Sequence, residues 1–169
     1  MTRKNHFNGN LCIIMDIVIA SPSLNMAAQC ELILRSLPQW FGIESALAQY
    51  AKDIETMPTF LAKVQETVVG FLTVKQHNEY AAELYVMGIR PEFHRRGIGR
   101  RLIDRAEAYL KQNKVEFLQV KTLGPSRRNE AYERTRAFYA ALGFRPLEEF
   151  KHLWSLENPC LVMVKWLEN

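Results

Sequence analysis

The chain has 169 residues, 48% of them hydrophobic and 24% charged, with a net charge of +4. This suits one soluble globular domain that buries about 70% of the surface its unfolded chain exposes. The charge is mild for a nucleic-acid binder, no run of ~18 apolar residues is present to span a membrane, and three scattered cysteines (Cys12, Cys30, Cys160) fit a reducing cytosol better than a disulfide framework or metal cluster.

Residues 1–14 are read as an N-terminal extension. A basic start followed by Leu11-Cys12-Ile13-Ile14 faintly resembles a secretory signal, but Asp16 interrupts the apolar run and no A-x-A-type cleavage site follows. The domain then occupies 15–169, opening at Met15 with a strand from Asp16 to Ala20. Ser21-Pro22-Ser23 predicts a helix start, with Leu24, Ala27, Ala28, Leu32 and Leu34 on its apolar face and an end near Leu37-Pro38. Trp40-Phe41-Gly42 reads as an aromatic loop and Glu44 to Glu55 as a second helix. Two strands, Thr59 to Gln65 and Val68 to Gln76, meet at a tight turn, and residues 77–80 turn the chain again.

The stretch from Glu83 to Leu102 carries the most information. Leu84, Tyr85, Val86, Met87 and Ile89 form a strand that Arg90-Pro91 stops, because proline has no ladder donor. His94-Arg95-Arg96-Gly97-Ile98-Gly99 then enters a helix with Ile98, Leu102, Ile103, Ala106 and Leu110 on one face. A glycine turn between a strand and a helix N-terminus suits a phosphorylated ligand: backbone approaches closely, unpaired N–H groups point outward and the helix dipole adds positive charge. The dinucleotide pattern G-x-G-x-x-G fails at Leu102, and no Gly-Lys-Ser/Thr occurs for an NTPase loop.

Further on, Val115 to Leu123 is a strand and Asn129 to Leu142 a helix showing Ala131, Tyr132, Thr135, Phe138, Tyr139 and Leu142, stopped by Gly143. Two closing strands follow, Arg145 to Phe150 (with an extension to Trp154) and Cys160 to Leu167, turned by Glu157-Asn158-Pro159. The order βααβββαβαββ predicts a mixed α/β sheet with helices on both faces and a right-handed parallel crossover in the middle.

The turn His94-Arg95-Arg96-Gly97-Ile98-Gly99 resembles the [Q/R]-x-x-G-x-[G/A] cofactor turn of the GCN5-related N-acetyltransferase (GNAT) family, with His94 departing at its first position. Phe138-Tyr139-Ala140-Ala141-Leu142-Gly143-Phe144 is similar to the family's late F/LY-x-x-x-GF element. The two in order, over a matching succession of elements from about Met15 onward, are far more specific than either alone. The resemblance implies the family's fold, a mostly antiparallel sheet of about seven strands flanked by about four helices. It also implies acetyl-CoA as acyl donor, with no metal.

By the same resemblance the backbone of Met87, Gly88 and Ile89 pairs with the pantetheine arm, and the Met87 amide is the oxyanion donor. Arg95, Arg96, Gly97, Ile98, Gly99 and Arg100 surround the pyrophosphate through backbone N–H groups, and Arg100 or Arg101 meets the adenosine 3′-phosphate. Tyr139 is the acid that protonates the departing thiolate. Glu83, whose spacing from Gly97 matches histone-acetylating members, is the general base, directly or through a water. The residues alone leave plainer alternatives open: Gly88 as a packing glycine, Tyr139 as a core tyrosine near the cleft, and Glu83 as a solvent-facing charge with water taking the proton. Trp40, Phe41 and Tyr50 lie where the family builds its acceptor pocket, although aromatic core packing explains them better. Arg127, Arg128, Arg134 and Arg136 read as a solvated face, and His77, His94 and His152 show no metal spacing. Cys160 has no activating base beside it and is rejected as a nucleophile.

The function implied is a cytoplasmic N-acetyltransferase moving the acetyl group directly onto a primary amine of a small molecule or protein. The alternatives are a non-catalytic acyl-CoA sensor on the same scaffold, or a nucleic-acid module using the Arg95–Arg101 patch, which lacks interleaved aromatics. Acetyl-CoA and an amine acceptor are the expected partners, with a homodimer left open and neither nucleic acid nor membrane expected.

Overall fold

The computed structural model describes residues 16–168. The expected extension over 1–14, the start at Met15 and Cys12 lie outside the described residues. Among the described residues seven strands and four helices follow one another: β1 (Ile17–Ile19), α1 (Ala27–Arg35), α2 (Glu44–Ile54), β2 (Thr59–Val64), β3 (Thr67–Gln76), β4 (Ala81–Ile89), a 3-10 turn (Pro91–Phe93), α3 (Ile98–Gln112), β5 (Phe117–Leu123), α4 (Glu130–Ala141), β6 (Arg145–Ser155) and β7 (Asn158–Trp166). The strands form one sheet in the order β1-β2-β3-β4-β5-β7-β6, and only β4 and β5 pair in parallel. This is the mixed, mostly antiparallel architecture the sequence implies. Among the described residues no helix is long and apolar enough to cross a membrane.

Each face of the sheet has its own core. On one side α3 buries Ile98, Leu102, Ile103, Ala106 and Leu110, the stripe read from the sequence, against Phe60, Leu72, Leu84 and Leu118, with Tyr139, Leu142 and Phe144 alongside. Fully burying each such aliphatic side chain contributes about 1.5–3 kcal/mol. On the other side α1 and α2 pack Cys30, Ile33, Leu34, Leu47 and Ile54 on Leu61, Phe71 and Val86.

The start of α1 differs from the expectation. Ser23 makes an antiparallel bridge with Thr59, and Asn25 takes a positive φ of 61°, so the helix begins only at Ala27. Its buried face is Ala27, Cys30, Ile33 and Leu34, whereas Leu24 and Leu32 are 50% and 64% exposed. The bridge to β2 satisfies the Ser23 backbone, so the serine is drawn into the sheet instead of capping the helix.

The decisive feature is a fork. β4 and β5 pair at four positions, Ala81 to Leu84 against Phe117 to Val120, and then part. β4 runs on beside β3 to Ile89, and β5 runs on beside β7 to Leu123. Just where they part, the β3–β4 register shifts: Val74 pairs Leu84 and Thr73 pairs Val86, leaving Tyr85 as the extra residue of a bulge. Leu84, Met87 and Ile89 consequently face α3, while Tyr85 and Val86 both face α1 and α2.

Candidate active site

Beyond the fork, β4 presents two kinds of backbone. The Arg90 N–H donates to the Val69 carbonyl at 2.8 Å, so in the antiparallel ladder Gly88 and Val86 also spend their polar groups on β3. By the same alternation the N–H and C=O groups of Met87 and Ile89 point to the other edge, where β5 has turned away. Met87 and Ile89 thus have the orientation a second extended chain needs. Gly88 does not: its polar groups face β3, and a Cβ there would lie 3.0 Å from both Ile33 Cγ2 and Phe71 Cε1. Among the residues read as backbone partners, Gly88 is the packing glycine, and its close approach is to α1.

The turn after β4 is built by two left-handed residues, Arg95 with φ 60° and Gly97 with φ 76°. Gly97 caps α3, and a Cβ there would meet nothing within 4 Å, so backbone conformation is what demands glycine. The first intrahelical bond runs from Arg101 N–H to the Gly97 carbonyl at 3.1 Å. The N–H groups of Ile98, Gly99 and Arg100 therefore belong to the open first turn, where the helix dipole is positive. Arg95, Arg96, Arg100 and Arg101 are exposed around it. The Arg96 guanidinium lies 5.3 Å from the Phe93 ring centre. His94 folds back, its Nε2 2.7 Å from the Ile89 carbonyl. Gly99 is a contact glycine: a Cβ would sit 3.0 Å from Phe138 Cζ.

Tyr139 belongs to the same cluster as Met87, Ile89 and Phe138, with its ring between Phe138 and Phe144. Burial, reinforced by Tyr132, pushes its phenol well above the ordinary tyrosine range. At neutral pH it is a protonated group, able to give a proton to a stronger base. Cys160 is also pushed up by burial, to about 11, and is no thiolate at neutral pH.

Glu83 occupies the opposite face of β4, just before the fork, and is only 3% exposed. The solvent-facing alternative therefore does not hold. Its Oε2 receives three groups: His77 Nε2 at 2.8 Å, Lys121 Nζ at 2.9 Å and Gln119 Nε2 at 3.2 Å. None of the three was singled out for this site from sequence. The legible signal was the β3–β4 hairpin, which pairs Lys75 with Glu83 and brings His77 near it; Gln119 and Lys121 arrive through β5, by the parallel crossover the element order predicts but in a register no local pattern fixes.

The aromatic loop bridges the two faces. Trp40 Nε1 donates to Thr135 Oγ1 at 3.1 Å, Tyr132 Oη donates to the Trp40 carbonyl at 3.0 Å, and the Trp40 ring meets His94 edge-on. Phe41, Tyr50 and Tyr85 follow in edge-to-face contacts, and the Tyr85 hydroxyl donates to Asp53 Oδ2. Arg136 donates to the Leu123 carbonyl at 2.8 Å, and Arg127 to the Glu157 carbonyl and Asn158 Oδ1. These two arginines are structural ties and not a purely solvated face.

A fork in a mixed sheet, a glycine turn and an open helix start in line with it are the geometry of this site. A model of the "Acetyltransferase (GNAT) domain" matches residues 56–146, more than half of the chain. The chain belongs to the GNAT acetyltransferase family. Solved structures of acetyltransferases share its fold at low identity. They include the ribosomal-protein-S18-alanine N-acetyltransferase from Escherichia coli (16% identical over 91% of this chain and 96% of that one, TM-score 0.72) and the aminoglycoside 6′-N-acetyltransferase from Enterococcus faecium (18%, 90% and 98%, 0.70). A third is a GNAT family acetyltransferase from Elizabethkingia anophelis with acetyl-CoA bound (16%, 89% and 98%, 0.67). No curated protein matches the chain in sequence. Within this GNAT domain, Met87, Ile89, Gly99 and Tyr139 gather on the α3 side, and Glu83 stands across the sheet from them.

Proposed function

We propose that this GNAT domain transfers an acetyl group from acetyl-CoA directly onto a primary amine of a small molecule or protein. The reading is carried by β4, whose Met87 and Ile89 turn their polar backbone groups toward the fork on the strand that leads into the Gly97 turn. In this reading the Met87 groups and the Ile89 N–H hold the pantetheine arm like an added strand, the Ile89 carbonyl being met by His94. The N–H groups of the turn and of Ile98, Gly99 and Arg100 take the pyrophosphate, with Arg95 and Arg96 at the turn and Arg100 or Arg101 on the 3′-phosphate.

The amine must lose a proton before it can attack, since an alkylammonium with pKa near 10 has no lone pair. Glu83 accepts that proton, directly or through a water. The Met87 N–H stabilises the oxyanion. Tyr139 gives its proton to the leaving thiolate. No side chain is acylated, in keeping with the protonated Cys160. Cys30 and Cys160 are both free and buried, which supports a reducing cytoplasm.

The test is thiol release from acetyl-CoA across a panel of amines, repeated with Tyr139→Phe. Turnover should fall roughly 100-fold, while acetyl-CoA affinity by calorimetry stays close to wild type. Undiminished turnover in Tyr139→Phe would remove the acid, and an unchanged pH–rate profile in Glu83→Gln would remove the base. Absence of any heat with acetyl-CoA would defeat the whole reading.

A further inference from the structure

We propose that His77 is a positioning and relay residue acting through Glu83, carrying the acceptor's proton from the buried carboxylate to water; this rests on the reading of Glu83 as the base. A base at 3% exposure must hand its proton on before the next turnover. Of the three groups at its Oε2, an ammonium (Lys121) and an amide nitrogen (Gln119) have no lone pair to take a proton. The imidazole has one, and its side chain is 30% exposed, so the ring touches both carboxylate and solvent.

The turn that carries the ring is fixed. The main-chain N–H of His77 donates to the Ala81 carbonyl at 2.9 Å, and Asn78 Oδ1 accepts from the main-chain N–H groups of Tyr80 and Ala81 at 2.8 and 2.9 Å. Gln119 Nε2 lies 3.1 Å from His77 Nε2 and 3.2 Å from Glu83 Oε2. The same heavy atoms therefore serve two hydrogen arrangements. With Glu83 ionised, His77 Nε2–H and the Gln119 amide both donate to Oε2. With Glu83 protonated, Nε2 without its hydrogen accepts from the carboxyl O–H, and the amide stays on Oε2.

The cycle balances in protons. Glu83 takes one from the amine. That protonation favours the His77 tautomer with hydrogen on Nδ1, which the ring reaches by exchange with water. The carboxyl O–H then passes its proton to Nε2 as Nδ1 releases its own to solvent, restoring the starting state. Other charged or titratable groups near Glu83 are Lys75 on β3, Tyr85 on β4, Lys121 on β5, Tyr50 on α2 and Cys160 on β7, with Asp53 on α2 bonded to the Tyr85 hydroxyl. Lys121 shares Oε2 with His77 and keeps a counter-charge beside the carboxylate throughout.

The experiment is multiple-turnover acetyl transfer to the best amine of the panel, read as the steady-state rate, with the first turnover as the control that the relay should leave unchanged. His77→Gln keeps an amide donor within reach of Oε2 but cannot take a proton; it should fold normally and lose about 10-fold or more in rate. His77→Ala should lose as much and be restored by added imidazole, and the restoration should vanish in the His77→Ala, Glu83→Gln double variant. A wild-type rate in His77→Gln, or no response of a folded His77→Ala to imidazole, overturns the relay while leaving the base intact. A wild type that transfers to no amine overturns base and relay together.

Discussion

Gly97 and Gly99 stand two positions apart and owe their identity to different forces. Gly97 has open space around it and a φ of 76°, so the constraint is in the backbone. Gly97→Ala should cost about 1–2 kcal/mol, and Gly97→Asn less, because asparagine visits the left-handed region more easily. Gly99 is helical but faces Phe138 Cζ at 3.0 Å from its missing Cβ. There alanine should cost about 1–3 kcal/mol through overpacking, and asparagine more. Urea unfolding of the four variants separates the cases, since a common ranking at both positions would refute the distinction. The pattern H-x-x-G-x-G makes both glycines visible in the sequence but not which does which. That depends on Phe138, which arrives from α4.

At the scale of elements, what could be read followed how local the cause was. The α3 stripe was legible because its five apolar residues repeat along one helix. The α1 start was not, because the Ser23–Thr59 bridge competes with a capping serine and depends on a strand far along the chain. α4 shows the opposite situation. Asn129 Oδ1 accepts from the Tyr132 N–H at 3.1 Å, so a local cap sets where the helix begins and hence where Tyr132, Thr135 and Tyr139 fall. Asn129→Ala should cost about 1 kcal/mol in urea unfolding, and Asn129→Ser should recover most of it. If alanine is neutral, the cap contributes nothing to the helix that carries the candidate acid.

For the whole molecule, the strand count and mixed sheet were foreseen, but the placement of β7 between β5 and β6 was not, since hairpin order in a sheet is fixed by long-range pairing. Burying thiols and phenols in two cores has a measurable result. Burial moves Cys30 from 9.0 to about 12, Cys160 to about 11 and Tyr132 to about 12, and pushes Tyr85 and Tyr139 up as well. Above pH 9 the unfolded chain loses these protons first, so the folded state binds more of them and stability falls as pH rises. The contribution is complete below pH 9 and disappears up to about pH 12, at up to about 1.4 kcal/mol per pH unit for each group in its window. Thermal unfolding followed from pH 7 to 11 should show Tm declining beyond about pH 9; a level Tm to pH 11 would mean these groups are not shielded.

The bulge at Tyr85 has a last implication. From there to Ile89 neighbouring peptide units take turns, one fastening the sheet and the next kept for whatever lies in the fork. Inserting or deleting a single amino acid in this short run would swap the two duties, leaving the sheet unstitched and the ligand-facing groups turned inward. Apart from Gly88, side chains of this segment can change within the limits of packing, but the count cannot.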